Sequence, residues 1–503
     1  MDGEAVSPAP SALFLGLDSG TQSAKAGIWD LRGTCLARAS CALAVRTPHE
    51  GWAEQDPEAW WDSARAAIRE AASQVDARRV AAVGVSFQRE TFALLDDENR
   101  AVRPGILWLD IRAAAETAEA ADRLDPGAYH RRTGKPLDVT SVLPRMRWIA
   151  RHEPAALARA RRWNDVGGWL LGKLTGVPGT CVAGADTTGL VDIGTRWWAP
   201  DHLAFCGLDR LGMPGLFEPG SVVGSLSPAA AGLTGLPAGV PVAAGGGDGQ
   251  CLAVGLGGRG GFTLTLGTSV VIGLPASTPT TSSLYRTLIA ARPDRRFLRE
   301  SVIQSGTHLL RWFEETFAGP GLDEMEQEIA ALAPGSEGLV TVPHWWGVRF
   351  PESLPEARGA TVGWSHRHQR AHLLRSIMEG IAFELRKLAD DHRAASPELP
   401  AAVVAVGGGG TRSRAWLRIL ADVIGIPLVL TVDPEPAALG AAMLAATAVG
   451  AYPDVDAAAT AMTREKETIA PEPATASVYE SIYRGSYLPL RDAVLRLAPG
   501  VRR

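Results

Sequence analysis

The chain has 503 residues, with 50 Lys+Arg against 55 Asp+Glu and a formal net charge of −5, so no broad cationic surface for nucleic acid is expected. At roughly 150 residues per domain, a chain this long holds more than one domain and can bury large cores without disulfide or metal staples. Hydrophobic residues at 46% and charged residues at 21% exclude a disordered chain.

Leu13 to Asp18 reads as a buried strand, followed by the turn Ser19-Gly20-Thr21-Gln22-Ser23 and a second strand from Ala24 to Trp29. A third strand follows from Cys35 to Val45. Asp56-Pro57 supplies an N-cap and a proline at the first helical position, opening an amphipathic helix to Val75. Val80 to Phe87 is the next strand. Three meandering strands, a helix and another strand give the order of a ribonuclease-H-like α/β core rather than strict βαβ winding. Ala113 to Leu236 reads as helical and loop-rich.

The opening pattern then returns. Val240 to Ala244 reads as a strand, Gly245 to Gly249 as a glycine turn, and Phe262 to Ile272 as a hairpin broken by Gly267-Thr268-Ser269. Val403 to Val406, a run of four glycines, a helix from Ser413, a strand from Ile426 to Thr431 and an alanine-rich helix from Glu435 repeat the strand-to-helix logic. Residues from Tyr452 onward are expected to pack as helices on the second lobe. Two similar halves, each opening on a hairpin with Gly-Thr in its turn, indicate two α/β lobes facing a cleft. Cys35, Cys41, Cys181, Cys206 and Cys251 form no C-x-x-C pair, so neither a disulfide framework nor a thiolate zinc site is indicated and a reducing compartment is expected. Met1 to Pro10 reads as a disordered tail without signal-peptide character. Ala437 to Ala451 falls short of the ~20 apolar residues that span a bilayer. These features place the protein in the cytoplasm with no membrane partner.

Asp18-Ser-Gly-Thr-Gln-Ser23 gathers backbone amides, small hydroxyls and a carboxylate in one turn, a device that can cradle phosphate while the carboxylate holds hydrated Mg²⁺. Gly267-Thr268-Ser269 repeats it in the second half. Gly407 to Gly410, between a strand and a helix, lets a nucleotide approach the backbone at that helix's N-terminus. Asp248, exposed at a strand end among glycines, suits a general base in phosphoryl transfer, although taken alone a plain helix cap is the safer reading. Gly167 to Lys173 fits G-x-x-x-x-G-K, but Leu174 stands where Ser or Thr must meet Mg²⁺. That stretch is read as a packed helix end. His366, His368 and His372 lack a carboxylate or cysteine to complete a metal site. Of the Trp-Trp pairs, Trp345-Trp346 is the one read as a candidate sugar platform.

In combination these segments resemble the FGGY family of carbohydrate kinases, nearly end to end. The matching stretches are Leu15 to Lys25, Gly51 to Trp60, Trp108-Leu-Asp-Ile-Arg112, Pro241 to Asp248, Leu266-Gly-Thr-Ser269, Ala357-Arg-Gly359, Gly359 to Glu379 and Leu439-Gly-Ala-Ala442. The resemblance implies two lobes of the actin, hexokinase and heat-shock ATPase type, 11–245 for sugar and the first phosphate loop and 246–503 for ATP and the second. It implies Mg²⁺ near Asp18, Asp248 as the base, Thr21, Gln22, Ser23, Gly267 and Thr268 at the phosphates, and Gly408, Gly409 and Ser413 beside adenosine.

Gln88, Arg89, Glu90 and Asp110 are the expected acceptor residues. An Arg–Glu pair offers donors and an acceptor to adjacent hydroxyls of a sugar or polyol. Q-R-E-T looks like the glycerol-kinase pattern, whereas Trp108 to Arg112 and the glycines before Asp248 look like the pentulose-kinase branch. Gly249 departs from both, which leaves room for a larger substrate or removes one hydroxyl contact. The expected reaction is phosphorylation of a terminal hydroxyl of a ketopentose such as xylulose. Glycerol or tetritol phosphorylation, and a nucleotide-switched ATPase with no acceptor, are the rival readings. A homodimer is open to such a chain.

Overall fold

The computed structural model describes residues 11–257, 261–292, 297–349, 352, 354, 356–395 and 404–498; the tail expected at Met1 to Pro10, and Val403, lie outside them. β1 (Leu13–Ser19) is buried on both faces except at Asp18, as a central strand must be. It pairs antiparallel with β2 (Ser23–Asp30), which pairs antiparallel with β3 (Cys35–Ala42). Pro57 fixes the first turn of α1 (Pro57–Ala72), and Asp56 caps it by accepting from the Glu58 amide. β4 (Val80–Phe87) then runs parallel to β1. Helices and short strands from Phe92 to Phe217, among them α2 (Val166–Thr175), cover this lobe. β5 (Val222–Ser225) and β6 (Pro241–Gly247) complete a sheet of order β5-β6-β4-β1-β2-β3 before α3 (Asp248–Gly255).

The second lobe begins with β7 (Phe262–Leu266), β8 (Val270–Ala276), β9 (Arg286–Ile289) and β10 (Phe297–Ile303). Three helices follow: α4 (Thr307–Thr316), α5 (Leu322–Ala331) and α6 (Arg370–Ala395). Next come β11 (Val404–Gly407), α7 (Arg414–Ile424), β12 (Leu428–Thr431), α8 (Pro436–Ala448), α9 (Val455–Met462) and β13 (Glu465–Ile469). The strand order is β9-β10-β8-β7-β11-β12-β13. Without the outer strands, β6-β4-β1-β2-β3 and β12-β11-β7-β8-β10 have the same parallel and antiparallel relations. The ribonuclease-H-like core therefore occurs twice.

Two expectations are corrected. Gly245 to Gly247 continue β6 instead of turning, because β6 lies so close to β4 that a Cβ on Gly245 would overlap the Val85 carbonyl oxygen. The chain passes from strand to helix directly at Asp248. Second, the helical segment from Pro473 to Arg496 packs on the second lobe as expected, through Tyr479, Tyr483 and Tyr487, but α9 packs, with α8, over Phe14, Trp29 and Ala82 of the first. Small residues make this possible. A Cβ on Gly16 of β1 would overlap the Ala438 carbonyl of α8, and one on Gly84 of β4 would overlap that of Ala441. Likewise a Cβ on Gly440 of α8 would overlap the Cys251 carbonyl of α3, so the lobes meet backbone to backbone along α3 and α8.

The G-x-x-x-x-G-K stretch is the buried α2. Gly167 lies against the Phe87 ring, and Lys173 pairs with Glu58 at 2.9 Å. Asp165 caps the helix, accepting from the Gly168 amide at 2.6 Å and the Thr180 hydroxyl at 2.9 Å. Burial pushes its carboxyl up to about 6, against those hydrogen bonds. A raised carboxyl pKa favours the protonated folded state, so this contribution is present below the ordinary value of 3.8 and is lost as pH rises through about 6. Asp165→Asn keeps the cap without a charge. Its urea-unfolding stability relative to the parent should rise by about 2 kcal/mol between pH 4 and pH 7; a pH-independent difference would contradict this.

Candidate active site

The parallel register of β1 and β4 sets Asp18 opposite Ser86, whose hydroxyl donates to Asp18 Oδ1 at 2.7 Å. Burial pushes the Asp18 carboxyl up to about 6; the nearby Asp248 charge adds to this, while Ser86 and Lys25 oppose it. Asp248 opens α3, with Gly247 rather than itself in the capping position. Its Oδ1 accepts from the Gly249 amide at 2.8 Å, and its side chain is 43% exposed. Two neighbouring carboxylates, one desolvated, form an anionic corner suited to a hard divalent cation. Among the described residues no three His, Cys, Asp or Glu side chains cluster as a metal cage. One carboxylate plus water and nucleotide phosphates is the usual way Mg²⁺ is held, so Asp18 fits it.

The first loop is braced from below. Thr21 Oγ1 donates to Gln88 Oε1 at 3.0 Å and receives the Trp108 indole N–H at 2.9 Å, while Gln55 donates to the Thr21 carbonyl. Gln22 is exposed and Ser23 partly so. In the second loop the Gly267 and Thr268 carbonyls accept from Thr307 and Gly306 amides at 2.8 and 3.0 Å. Gly267, Thr268, Gly409 and Ser413 line one pocket of about 370 Å³, with Leu310 and Met378 among its apolar walls. Gly408 stands at the end of β11 with φ 97°, over the Leu266 carbonyl. Ser413 caps α7 through the Trp416 amide and donates to Glu326 Oε2 at 2.9 Å. Glu326, on α5, was not foreseen; nothing in its local pattern distinguishes it from a solvated helix acid.

The acceptor side is an ionic cluster. Arg89 Nε lies 2.9 Å from Asp248 Oδ1, and its two terminal nitrogens reach Glu300 of β10 at 3.1 and 3.4 Å. Arg286 of β9 donates to Glu300 at 2.6 Å. Glu90, at φ 59°, is buried against Lys135, with Arg286 at 3.6 Å and Arg349 at 4.0 Å. Burial would raise the Glu90 carboxyl, but Lys135, Arg286 and Arg349 outweigh it and hold it below its usual range. Arg349, from the second lobe, also reaches Asp138 at 3.0 Å and Thr140 at 2.6 Å in the first. The volume next to Gly249 is thus filled by Arg89 and Glu300 rather than left open. Asp110 is fully buried, and its carboxylate accepts from Ala53 and Arg112. Gln88 is likewise buried, beneath Thr21. Trp345 packs on Trp312, and Trp346 stacks on His308 with ring centroids 3.7 Å apart.

Duplicated ribonuclease-H-like lobes, each with a Gly-Thr turn at the cleft and one with a cleft carboxylate, define the two-lobed phosphotransferase class. Residues 13–255 match the N-terminal domain of the FGGY family of carbohydrate kinases and residues 262–449 its C-terminal domain. The chain belongs to that family and is an ATP-dependent sugar kinase. It is 33% identical over 444 residues to the xylulose kinase of Escherichia coli (strain K12), covering 86% of this chain and 89% of that one. The glycerol kinase of Nocardia farcinica (strain IFM 10152) is 31% identical, over 88% of this chain and 91% of its own. The crystal structure of xylulose kinase from Rhodospirillum rubrum superposes with a TM-score of 0.87 at 30% identity, over 96% and 99% of the two chains. No helix among the described residues is long and apolar enough to cross a membrane.

Proposed function

We propose that the protein transfers the γ-phosphoryl group of ATP to a terminal hydroxyl of a ketopentose of the xylulose type. The single observation behind this reading is Asp248, a partly exposed carboxylate at the cleft end of β6, with Arg89 on its Oδ1. The Gly249 amide and Arg89 both meet Oδ1, which leaves Oδ2 as the atom that takes the hydroxyl proton. Thr21, Gln22 and Ser23 face the phosphates from the first lobe, and Gly267 and Thr268 from the second. Gly408, Gly409 and Ser413 border the adenosine. Mg²⁺, held by Asp18, supplies charge neutralisation for the phosphates when bound. Lobe closure along α3 and α8 excludes water, the competing acceptor. Arg89 and Glu90 touch the acceptor, whereas Gln88 and Asp110 act by bracing the pocket. Free cysteines and the need for ATP fit a cytoplasmic setting.

Cations and carboxylates balance in the acceptor cluster, which favours a neutral sugar over an acidic one. The buried Arg89–Glu90 pair also supports a second reading, glycerol or a tetritol. ADP release should be measured with Mg-ATP and D-xylulose, D-ribulose, L-ribulose, L-xylulose, glycerol or erythritol, against a blank without acceptor. Acceptor-dependent release well above the blank with one ketopentose is expected, since transfer to the sugar must outrun transfer to water. Preference for glycerol or erythritol selects the second reading, and release equal to the blank throughout removes both.

A further inference from the structure

We infer that Glu300 is a positioning residue that sets acceptor specificity, reaching across the cleft to hold the Arg89 guanidinium against Asp248 in the space where a side chain at 249 would stand. This rests on the reading of Asp248 and Arg89 as acceptor-site residues.

Glu300 lies on β10 of the second lobe, while Arg89 and Asp248 end β4 and β6 of the first. Its side chain is 1% exposed. One guanidinium therefore bridges the two lobes, with Nε on the base and the terminal nitrogens on Glu300. The floor beneath it is backbone. A Cβ on Gly249 would stand 3.0 Å from both Arg89 Nη2 and Glu300 Oε2, and one on Gly247 would stand 2.5 Å from Arg89 Cδ. Glycine at these positions thus leaves room for the Arg89–Glu300 pair, and a larger residue at 249 crowds that pair and must displace it.

Glu300 is itself fixed. Arg286, its cross-strand partner, donates to Oε1 at 2.6 Å. Burial raises the Glu300 carboxyl, but Arg286 and Arg89 overcome that and hold it near 2, so it stays ionised at neutral pH. Nη1 of Arg286 is buried without a hydrogen-bond partner and lies 3.6 Å from Glu90 Oε1, a donor still to be satisfied on the acceptor side. Arg89 Nε and the Gly249 amide both meet Asp248 at Oδ1, so together they orient the carboxylate that presents Oδ2. The fixed guanidinium can then donate to a hydroxyl or carbonyl oxygen next to the hydroxyl being phosphorylated. Without Glu300, Arg89 keeps Asp248 and a long contact from Nη1 to Gln250 Oε1 at 3.4 Å, but loses the carboxylate that grips both terminal nitrogens and with it that direction.

The test is Glu300→Gln, similar in shape but uncharged, with Glu300→Asp as the conservative rescue and Gly249→Asn as the crowding variant. In Glu300→Gln the acceptor KM should rise about 10- to 100-fold, the scale of a lost charge-assisted contact, with the KM for ATP unchanged. Glu300→Asp should recover part of the loss, and Gly249→Asn should reproduce it. A folded Glu300→Gln enzyme with parental acceptor KM, or with ATP KM raised equally, overturns the inference. Should the parent turn over no acceptor, the functional reading falls on its own. The crystal structure of Glu300→Gln then decides: Arg89 withdrawn from Asp248 sustains the inference, and Arg89 unmoved overturns it.

Discussion

Asp248→Asn should lower acceptor-dependent ADP release by about 10²- to 10⁴-fold, the range over which a positioned general base acts, while ATP affinity stays within about twofold. The substitution keeps the shape at the start of α3 and can still accept the Gly249 amide, so nothing in the fold is disturbed. What it removes is a proton acceptor at the end of β6 and the negative charge opposite Arg89. The loss should fall on kcat more than on acceptor KM, because the proton moves only in the transition state. Steady-state kinetics and nucleotide titration separate these quantities. Turnover within tenfold of the parent would assign the proton to another group or to the phosphate itself.

The parts of this molecule that were legible in the sequence are those written within short windows. Asp56-Pro57 and Ser413 announce helix starts, and both cap as such signals imply. Asp18 to Ser23 and Gly267 to Ser269 each sit in one hairpin turn, so the paired loops could be recognised and the duplication inferred. Gly167 to Lys173 could be set aside because Leu174 lacks the chemistry and Trp169 and two leucines announce packing. The acceptor cluster was not legible in the same way. Arg89 and Glu90 were visible as a pair, but their partners Lys135, Arg286, Glu300 and Arg349 come from both lobes and share no motif. Lys135 is one of only five lysines, the one faint signal available. Gln88 and Asp110 fell inside recognisable motifs yet brace the pocket from behind, since a motif reports adjacency in sequence and not which way a side chain faces. The Gly245 to Gly247 stretch misled for a related reason. Glycine signals a turn when freedom is needed, but here it permits two strands to approach closely.

Lys135→Met carries the largest expected cost in stability, about 3–5 kcal/mol, because it strips a cation from a buried ion cluster instead of removing a neutral pair. Lys135 is wholly inaccessible; Nζ contacts Glu90, donates to the Thr187 carbonyl at 3.0 Å and lies 3.7 Å from Asp138. Burial lowers its pKa and outweighs the carboxylates that would raise it, so the ammonium persists only as long as they stay ionised. The pH dependence has a definite sign. Glu90 is held below its ordinary value of 4.5, so its pairing stabilises the fold above that pH and is lost on acidification. Without Lys135 the Glu90 carboxyl rises toward protonation, and the deficit against the parent should be greatest near neutrality and shrink below about pH 4.5. Glu90→Gln added to Lys135→Met should recover part of the loss, since the pair is then removed as a neutral unit. Urea midpoints of the two variants and the parent at pH 4 and pH 7 measure all of this. A deficit equal at both pH values, or no recovery in the double variant, would mean that Lys135 acts by filling space. The same cluster ties stability to the proposed chemistry: Glu90 faces Arg286, Arg286 holds Glu300, and Glu300 holds Arg89 against Asp248, the proposed base. A substitution at Lys135 should therefore also weaken acceptor binding in whatever fraction of the protein remains folded.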